Sequence, residues 1–177
     1  MKSLSGKKIL LSTPRFSVLH QQFTEADGTP RDFYFIEKPD AVSVIVCKGE
    51  CIGLIRIDRP LTGRAGWEIP GGRMEGEETT LETAQRELTE ETGFKGSGWK
   101  YITSFYPLPS ITKERMHIYS CTADVSSSLA LNASEGVSEF RFFTREEIRK
   151  LILDGEIHCS IDGFALLYYL GSGEVMR

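Results

Sequence analysis

"PGGRMEGEETTLETAQRELTEETGF", residues 70–94, decides how this chain reads. A Pro-Gly-Gly turn leads into a stretch with seven glutamates and two arginines in 25 residues. Thr79 followed by Glu82 fits a capping box, and Gly93 suits the left-handed position that ends a helix, so a helix is predicted over 79–92. Leu81, Ala84 and Leu88 make its apolar stripe. Glu87, Glu90 and Glu91 stand at offsets of zero, three and four and share a face. At about 100° per residue that face is expected roughly opposite the stripe, its carboxylates projecting outward together. Like charges so placed repel, and the pairs Glu82–Arg86 and Arg86–Glu90 offset little of it. A solvated outer face is the plainer account of the charge alone, because glutamate forms helices well. A cluster of carboxylates on a rigid element is also what a hard divalent cation needs: oxygen ligands only, suited to Mg²⁺ or Mn²⁺. Magnesium keeps waters and bridges to phosphates, so such a site predicts a phosphate-containing substrate.

The surroundings are those of an ordinary folded domain. The 177 residues are 40% hydrophobic and 26% charged, enough for one domain with a buried core. A net charge of −4 and pI near 5.5 argue against nucleic acid or an anionic membrane as the main partner. No apolar run approaches a membrane span, and "ILL" is too short for a signal-peptide core, so a cytoplasmic location is expected. His20, His117 and His158 are scattered, and Cys47, Cys51, Cys121 and Cys159 form no C-x-x-C pair; buried thiols are expected rather than zinc or disulfides.

Strands are predicted over 7–20 and 31–37, either side of the turn-rich "EADGTP". "AVSVIVCKGECIGLIRID" reads as a hairpin of two strands covered on both faces, turning at Lys48-Gly49-Glu50. "GWEIPGG" ends a short strand in a turn, and three further strands fall at 99–105, 115–124 and 138–143. Helices follow at 145–153 and from Ser160 through "IDGFALLYYL". Helices packed on a mixed sheet give one α/β (α+β) domain.

The spacing around the acidic helix adds a resemblance. Gly72, five residues, Glu78, seven residues, then Arg86-Glu87-Leu88-x-Glu90-Glu91-x-Gly93-Phe94 matches every defined position of the Nudix signature, nine specified residues in 23. The chain resembles the Nudix hydrolase superfamily, which cuts a nucleoside diphosphate linked to another moiety, X. The resemblance implies an α/β/α sandwich with a mixed central sheet, spanning 41–170, preceded by N-terminal antiparallel strands over 1–40. It implies Mg²⁺, with Mn²⁺ as a substitute. The ligands would be Glu87, Glu90, Glu91 and the Gly71 backbone carbonyl. Arg86 and Glu78 would orient them, with Arg86 and Glu87 part of the catalytic machinery. Residues 171–177 are expected to be a flexible tail.

The flanks resemble the ADP-ribose pyrophosphatase branch: "GWEIPGG" its lead-in, "SFYPLPSITKERMHIY" its "YPSPG-x-[ST]-x-E" stretch, and Pro109, fifteen residues after Phe94, its downstream proline. The strands before Ala41 resemble the extension that branch uses to form a homodimer. Two departures stand out. Ser110 replaces the usual glycine after the proline, and "Arg56-Ile57-Asp58-Arg59" stands where the branch has "R-Q-Y-R". The resemblance implies hydrolysis of ADP-ribose to AMP and ribose 5-phosphate; a nucleoside diphosphate sugar, another Nudix substrate or a non-catalytic nucleotide sensor are the alternatives.

Arg56, Arg59 and Arg64 are candidates for phosphate or ribose contacts, since guanidinium forks match phosphate oxygens. Glu68, beside the metal turn, is a candidate for the ribose hydroxyls or for an outer-sphere place at the metal. Trp67, Phe105 and Tyr106 could stack on a base or pack in the core. A general base that takes the proton of the attacking water is expected before the strand at 138–143. Glu135, in the turn, is favoured by resemblance, with Glu139 and a glutamate of the signature itself as the other candidates.

Overall fold

The computed structural model of the chain describes residues 2–3, 6–124, 126 and 129–172. The tail expected at 171–177 lies outside the described residues from 173 onward. Two compact units form, one of Met1–Asp40 with Tyr106–Arg115 and one of Ala41–Phe105 with Met116–Arg177.

The first unit is an antiparallel sheet of β1 (Lys2–Ser3), β2 (Lys8–Ser12), β3 (Ser17–Thr24) and β4 (Pro30–Glu37). β3 is central: it pairs with β4 from Ser17↔Glu37 to Thr24↔Pro30, and on its other side with β2 and β1. The single strand predicted over 7–20 is in fact a hairpin. Pro14 removes a ladder donor, and the Thr13 hydroxyl oxygen accepts the N–H groups of Arg15 and Phe16, turning the chain back. Between β3 and β4, Asp27 accepts the Thr29 N–H and Gly28 takes a φ of 88°, which favours glycine. Residues 106–115, read from the sequence as part of the span 41–170, instead pack with these strands. Ile36 N–H donates to the Ile111 carbonyl (2.8 Å), and buried Glu114 pairs with Lys38 (2.7 Å).

The second unit is built on a mixed seven-stranded sheet. Its strands are β5 (Ala41–Lys48), β6 (Cys51–Arg59), β7 (Arg64–Glu68), β8 (Gly71–Arg73), β9 (Lys95–Phe105), β10 (Met116–Asp124) and β11 (Val137–Phe143). The order is β11-β6-β5-β10-β9, with β7 on β6 and β8 on β5; only β5 and β10 run parallel. β5 explains its own unbroken apolar run, because alternate residues serve different cores. Val42, Val44 and Val46 pack with Ala84, Leu88, Tyr119 and Cys121 beneath α1 (Thr80–Thr92). Ala41, Ile45 and Cys47 pack on the opposite face with residues of α2 (Arg145–Leu153) and α3 (Ser160–Gly171), among them Ile148, Ala165 and Leu166. The result is the helix–sheet–helix sandwich expected. Both capping boxes form: Thr79 with Glu82 on α1, and Thr144 with Glu147 on α2. Where a turn was expected after Pro70, β8 pairs with β5 through Ser43↔Gly71 and Val42↔Gly72. Glycine permits this: a Cβ on Gly71 would strike the Val42 carbonyl.

Candidate active site

α1 carries its acidic residues differently from the helical-wheel expectation. The buried face is Thr83, Ala84, Glu87, Leu88, Glu91 and Thr92, while Leu81 is 36% exposed. Glu87 (7% exposed) and Glu91 (4%) therefore lie beside Leu88 on the packed side, and Glu90 alone of the three faces outward. The cause is the strand α1 packs against. β8 presents Gly71 and Gly72, which leave the room the carboxylates fill; a Cβ on Gly72 would overlap the Glu87 carboxylate.

This burial sets the electrostatics. Glu91 Oε2 accepts the Gly71 N–H (2.8 Å), yet burial, reinforced by the charges of Glu87 and Glu135, pushes its carboxyl up to about 8. Glu87 is also raised by burial, with Arg86 pulling the other way. Arg86 knits the cluster together. Its guanidinium grips Glu78 through Nε (2.8 Å) and Nη2 (3.1 Å), and donates from Nη1 to Glu87 (2.9 Å) and Glu90 (3.0 Å). Nη2 also reaches the Arg73 carbonyl (2.9 Å), tying α1 to β8. The Arg86 fork holds Glu78 down at about 2. Thr83 Oγ1 donates to Glu78 Oε2 (2.9 Å), a contact not read from the sequence although Thr83 stands five residues after Glu78, just over one helical turn beyond Thr79.

Glu87 and Glu91, desolvated and raised beside Gly71 and Gly72, and the outward Glu90, joined to Glu87 through Arg86, form an all-oxygen donor set. That fits a hard divalent cation, which would compensate the two buried acids. Glu135 ends a short 3₁₀ turn, Ala133–Glu135, and its charge acts on both Glu87 and Glu91. Glu139 sits exposed on β11, opposite Arg56 in register.

The proposed substrate residues are only partly assembled. Arg59 grips Glu68 bidentately, Nε to Oε1 (3.1 Å) and Nη2 to Oε2 (2.6 Å), so this arginine and this buried glutamate hold each other. Arg56 pairs with Glu156 (3.6 Å) and lies over the Trp67 ring (5.6 Å). Arg64 donates to the Gly155 carbonyl at 3.3 Å. Trp67 is buried edge-on against Phe143, and Phe105 packs edge-on against Phe164, so both serve the core. Pro109 and Tyr106 belong to the other unit, where Tyr106 Oη accepts from Arg115 (2.8 Å).

One cluster escaped the sequence reading. The ligand atoms of Glu68, Cys159 and Asp162 lie within 4.8 Å of one another. An acid near the start of a helix ordinarily reads as a dipole partner in water, so Asp162 carried no signal beyond its isolation in "IDGFALLYYL".

Comparison with known proteins bears on this arrangement. The NUDIX domain profile matches residues 37–159, a span that holds all of α1, the glycine turn and Glu135. An ADP-ribose pyrophosphatase of Bacillus subtilis is 31% identical over 176 residues, covering 95% of this chain and 94% of the relative. A CMP-5'-(N-acetyl-N-hydroxy-3-aminopropyl)phosphonate hydrolase of Streptomyces rubellomurinus is 26% identical over 147 residues, 82% of this chain and 71% of the relative. The crystal structure of an ADP compounds hydrolase has the same fold, with a TM-score of 0.78 at 19% identity, covering 98% of this chain and 97% of the other. With an intact acidic helix folded against its glycine turn and the family profile spanning most of its length, the chain belongs to the Nudix family and is a Nudix hydrolase.

Proposed function

We propose that the chain hydrolyses ADP-ribose to AMP and ribose 5-phosphate with Mg²⁺, Mn²⁺ serving as a substitute. The observation that carries the specificity is the likeness to the Bacillus subtilis ADP-ribose pyrophosphatase over 95% of this chain. The cation would be held by Glu87, Glu90, Glu91 and the Gly71 carbonyl. When bound, it would neutralise charge on the pyrophosphate oxygens and lower the pKa of a bound water.

The reaction adds water across a P–O–P bridge: the water oxygen bonds to one phosphorus, and the bridging oxygen leaves with the other phosphate. Glu135, exposed and close enough for its charge to act on Glu87 and Glu91, takes the proton of the water. Arg86 holds Glu87, Glu90 and Glu78 in one arrangement before substrate arrives. Arg56 and Arg64 supply positive charge for phosphate or ribose, while Arg59 serves by fixing Glu68 at the ribose side. Pro109 would take part through the segment 106–115. The exposed Ile9, Leu10 and Leu11 on β2 offer the apolar strand through which 1–40 would pair in a homodimer, and a cytoplasmic location is expected for a consumer of free nucleotides.

The test is a Mg²⁺ assay across ADP-ribose, nucleoside diphosphate sugars, dinucleotides, nucleoside triphosphates and CMP-linked phosphonates. AMP and ribose 5-phosphate in equal amounts from ADP-ribose, at the highest kcat/KM of the panel, are expected. Turnover of another diphosphate with none of ADP-ribose would refute the specificity and leave the metal site standing. The resemblance to the Streptomyces CMP-linked phosphonate hydrolase is why that class belongs in the panel.

A further inference from the structure

Asp162 is the third residue of α3, 3% exposed, and its Oδ2 is buried without a hydrogen-bond partner. Its other contacts are the Ile69 backbone N–H and Cys159, the residue that caps the helix. Across from it lies Glu68, with ligand atoms of the pair within 4.8 Å. The nearby cation, Arg59, spends two donors on the two oxygens of Glu68. Two carboxylates and one arginine in a buried corner leave one negative charge uncompensated. The N-terminus of α3 favours an anion there, but by less than burial of a second charge disfavours it. The Cys159 thiol is pushed up to about 11, chiefly by burial, and the His158 ring lies against Gly66 on β7 with both nitrogens unpartnered.

We propose that Asp162 is a positioning residue that works as a neutral carboxylic acid. Its carbonyl oxygen takes the Ile69 N–H and its hydroxyl faces Glu68, fastening α3 to the turn that carries Gly71. The direction of its titration agrees: burial first, then the Glu68 charge, raises this carboxyl well above the usual range. The consequence for the site runs through three residues of backbone. Asp162 fixes Ile69, and two residues later the Gly71 N–H fixes Glu91. The effect on metal rests on the site proposed above, but the protonation of Asp162 does not.

Asp162→Asn reproduces the arrangement, with an amide oxygen for Ile69 and an N–H for Glu68, whereas Asp162→Ala removes it; Asp162→Ser replaces the alanine variant should that fail to fold. In metal-free protein at pH 7, the infrared spectrum of wild type minus that of Asp162→Asn is expected to show a protonated-carboxyl C=O band, the band of Glu91 being common to both and cancelling. Mn²⁺ titration by calorimetry is expected to give Asn an affinity within about threefold of wild type and Ala one weaker by about tenfold or more, the usual loss when a residue supporting a metal ligand is removed. As pH rises from the ordinary carboxyl range toward the raised range of folded Asp162, wild type should lose melting temperature relative to Asn, because the unfolded chain gives up a proton that the folded form still holds. An Asn variant as damaged as Ala, absence of the band, or a metal ion retained stoichiometrically in native mass spectrometry and lost in Asn would each overturn the proposal. If wild type binds no Mn²⁺, the metal-site reading falls, and the infrared band still decides the state of Asp162.

Discussion

Glu91→Gln separates what the buried acid costs the fold from what it does for the cation. In the metal-free protein the Glu91 carboxyl lies at about 8 against an ordinary 4.5, chiefly through burial, so the folded state holds its proton more tightly than the unfolded chain. Below pH 4.5 this acid is protonated in both states and carries no penalty. From there, stability falls by about 1.4 kcal/mol per pH unit until the folded group also ionises near 8, and then levels off. That amounts to about 3 kcal/mol at pH 7 and about 5 kcal/mol by pH 9. Glutamine keeps an acceptor for the Gly71 N–H and never ionises, so it escapes the whole penalty. In chelator at pH 7 the variant should melt roughly 6–12 °C above wild type, taking 2–4 °C per kcal/mol for a chain of this size. The gap should widen at pH 9 and nearly close at pH 5. Millimolar Mg²⁺ or Mn²⁺ should reverse the order by stabilising wild type alone, and Glu91→Gln should lose most activity. Calorimetric scans at three pH values, with chelator and with metal, measure all of this. Equal melting curves in chelator across pH, or equal stabilisation of both proteins by metal, would refute the reasoning.

Gly72→Ala should leave a folded protein that binds Mn²⁺ far more weakly, because the new methyl overlaps the Glu87 carboxylate; circular dichroism with metal calorimetry checks it. Leu88→Ala, in the core between α1 and β5, should lower stability by about 3 kcal/mol in denaturant titrations. Glu135→Gln should cost about 100-fold or more in kcat and flatten the acidic limb of the pH profile, while Glu139→Gln should cost little; equal losses would count against Glu135 as the base. Leu10→Lys should shift sedimentation from dimer to monomer, and an unchanged dimer would place the interface elsewhere.

Much of the architecture could be read from the chain because it depends on local signals. Both capping boxes, the left-handed Gly93 and the Lys48-Gly49-Glu50 turn are short patterns with one favoured geometry, and each forms. The alternation of Val42, Val44 and Val46 against Ala41, Ile45 and Cys47 is hidden in an all-apolar run, which signals burial on both faces without saying which residue serves which helix. The helical wheel failed for Glu87 and Glu91 because it knows only the helix. It places charge away from leucine by default, and here the neighbouring strand is glycine, leaving a polar recess on the packed side. Arg59 and Glu68 each looked available to a ligand; in register Arg59 stands opposite Arg64 and Glu68 opposite Ile55, so only the folded side chains show that the two grip one another. Asp162 depends on contacts from three separate stretches of chain, and no local pattern encodes them.

The two-residue link between β7 and β8, together with the first residue of β8, is where these elements meet, and each of the three is held by a different one. Ile69 gives its N–H to Asp162 on α3, the Pro70 carbonyl accepts the Val44 N–H of β5 (2.7 Å), and Gly71 gives its N–H to Glu91 on α1. The helices on opposite faces of the sheet therefore position one peptide segment, with the central strand between them as the fixed reference. Proline suits the middle place because its missing N–H needs no partner there, and its fixed φ stiffens the link between the two helix contacts. A substitution on α3 can thus reach Glu91 on α1 through two peptide units without touching it. Distance from the carboxylates is consequently a poor guide to which residues position them; what matters is whether a residue holds one of these three.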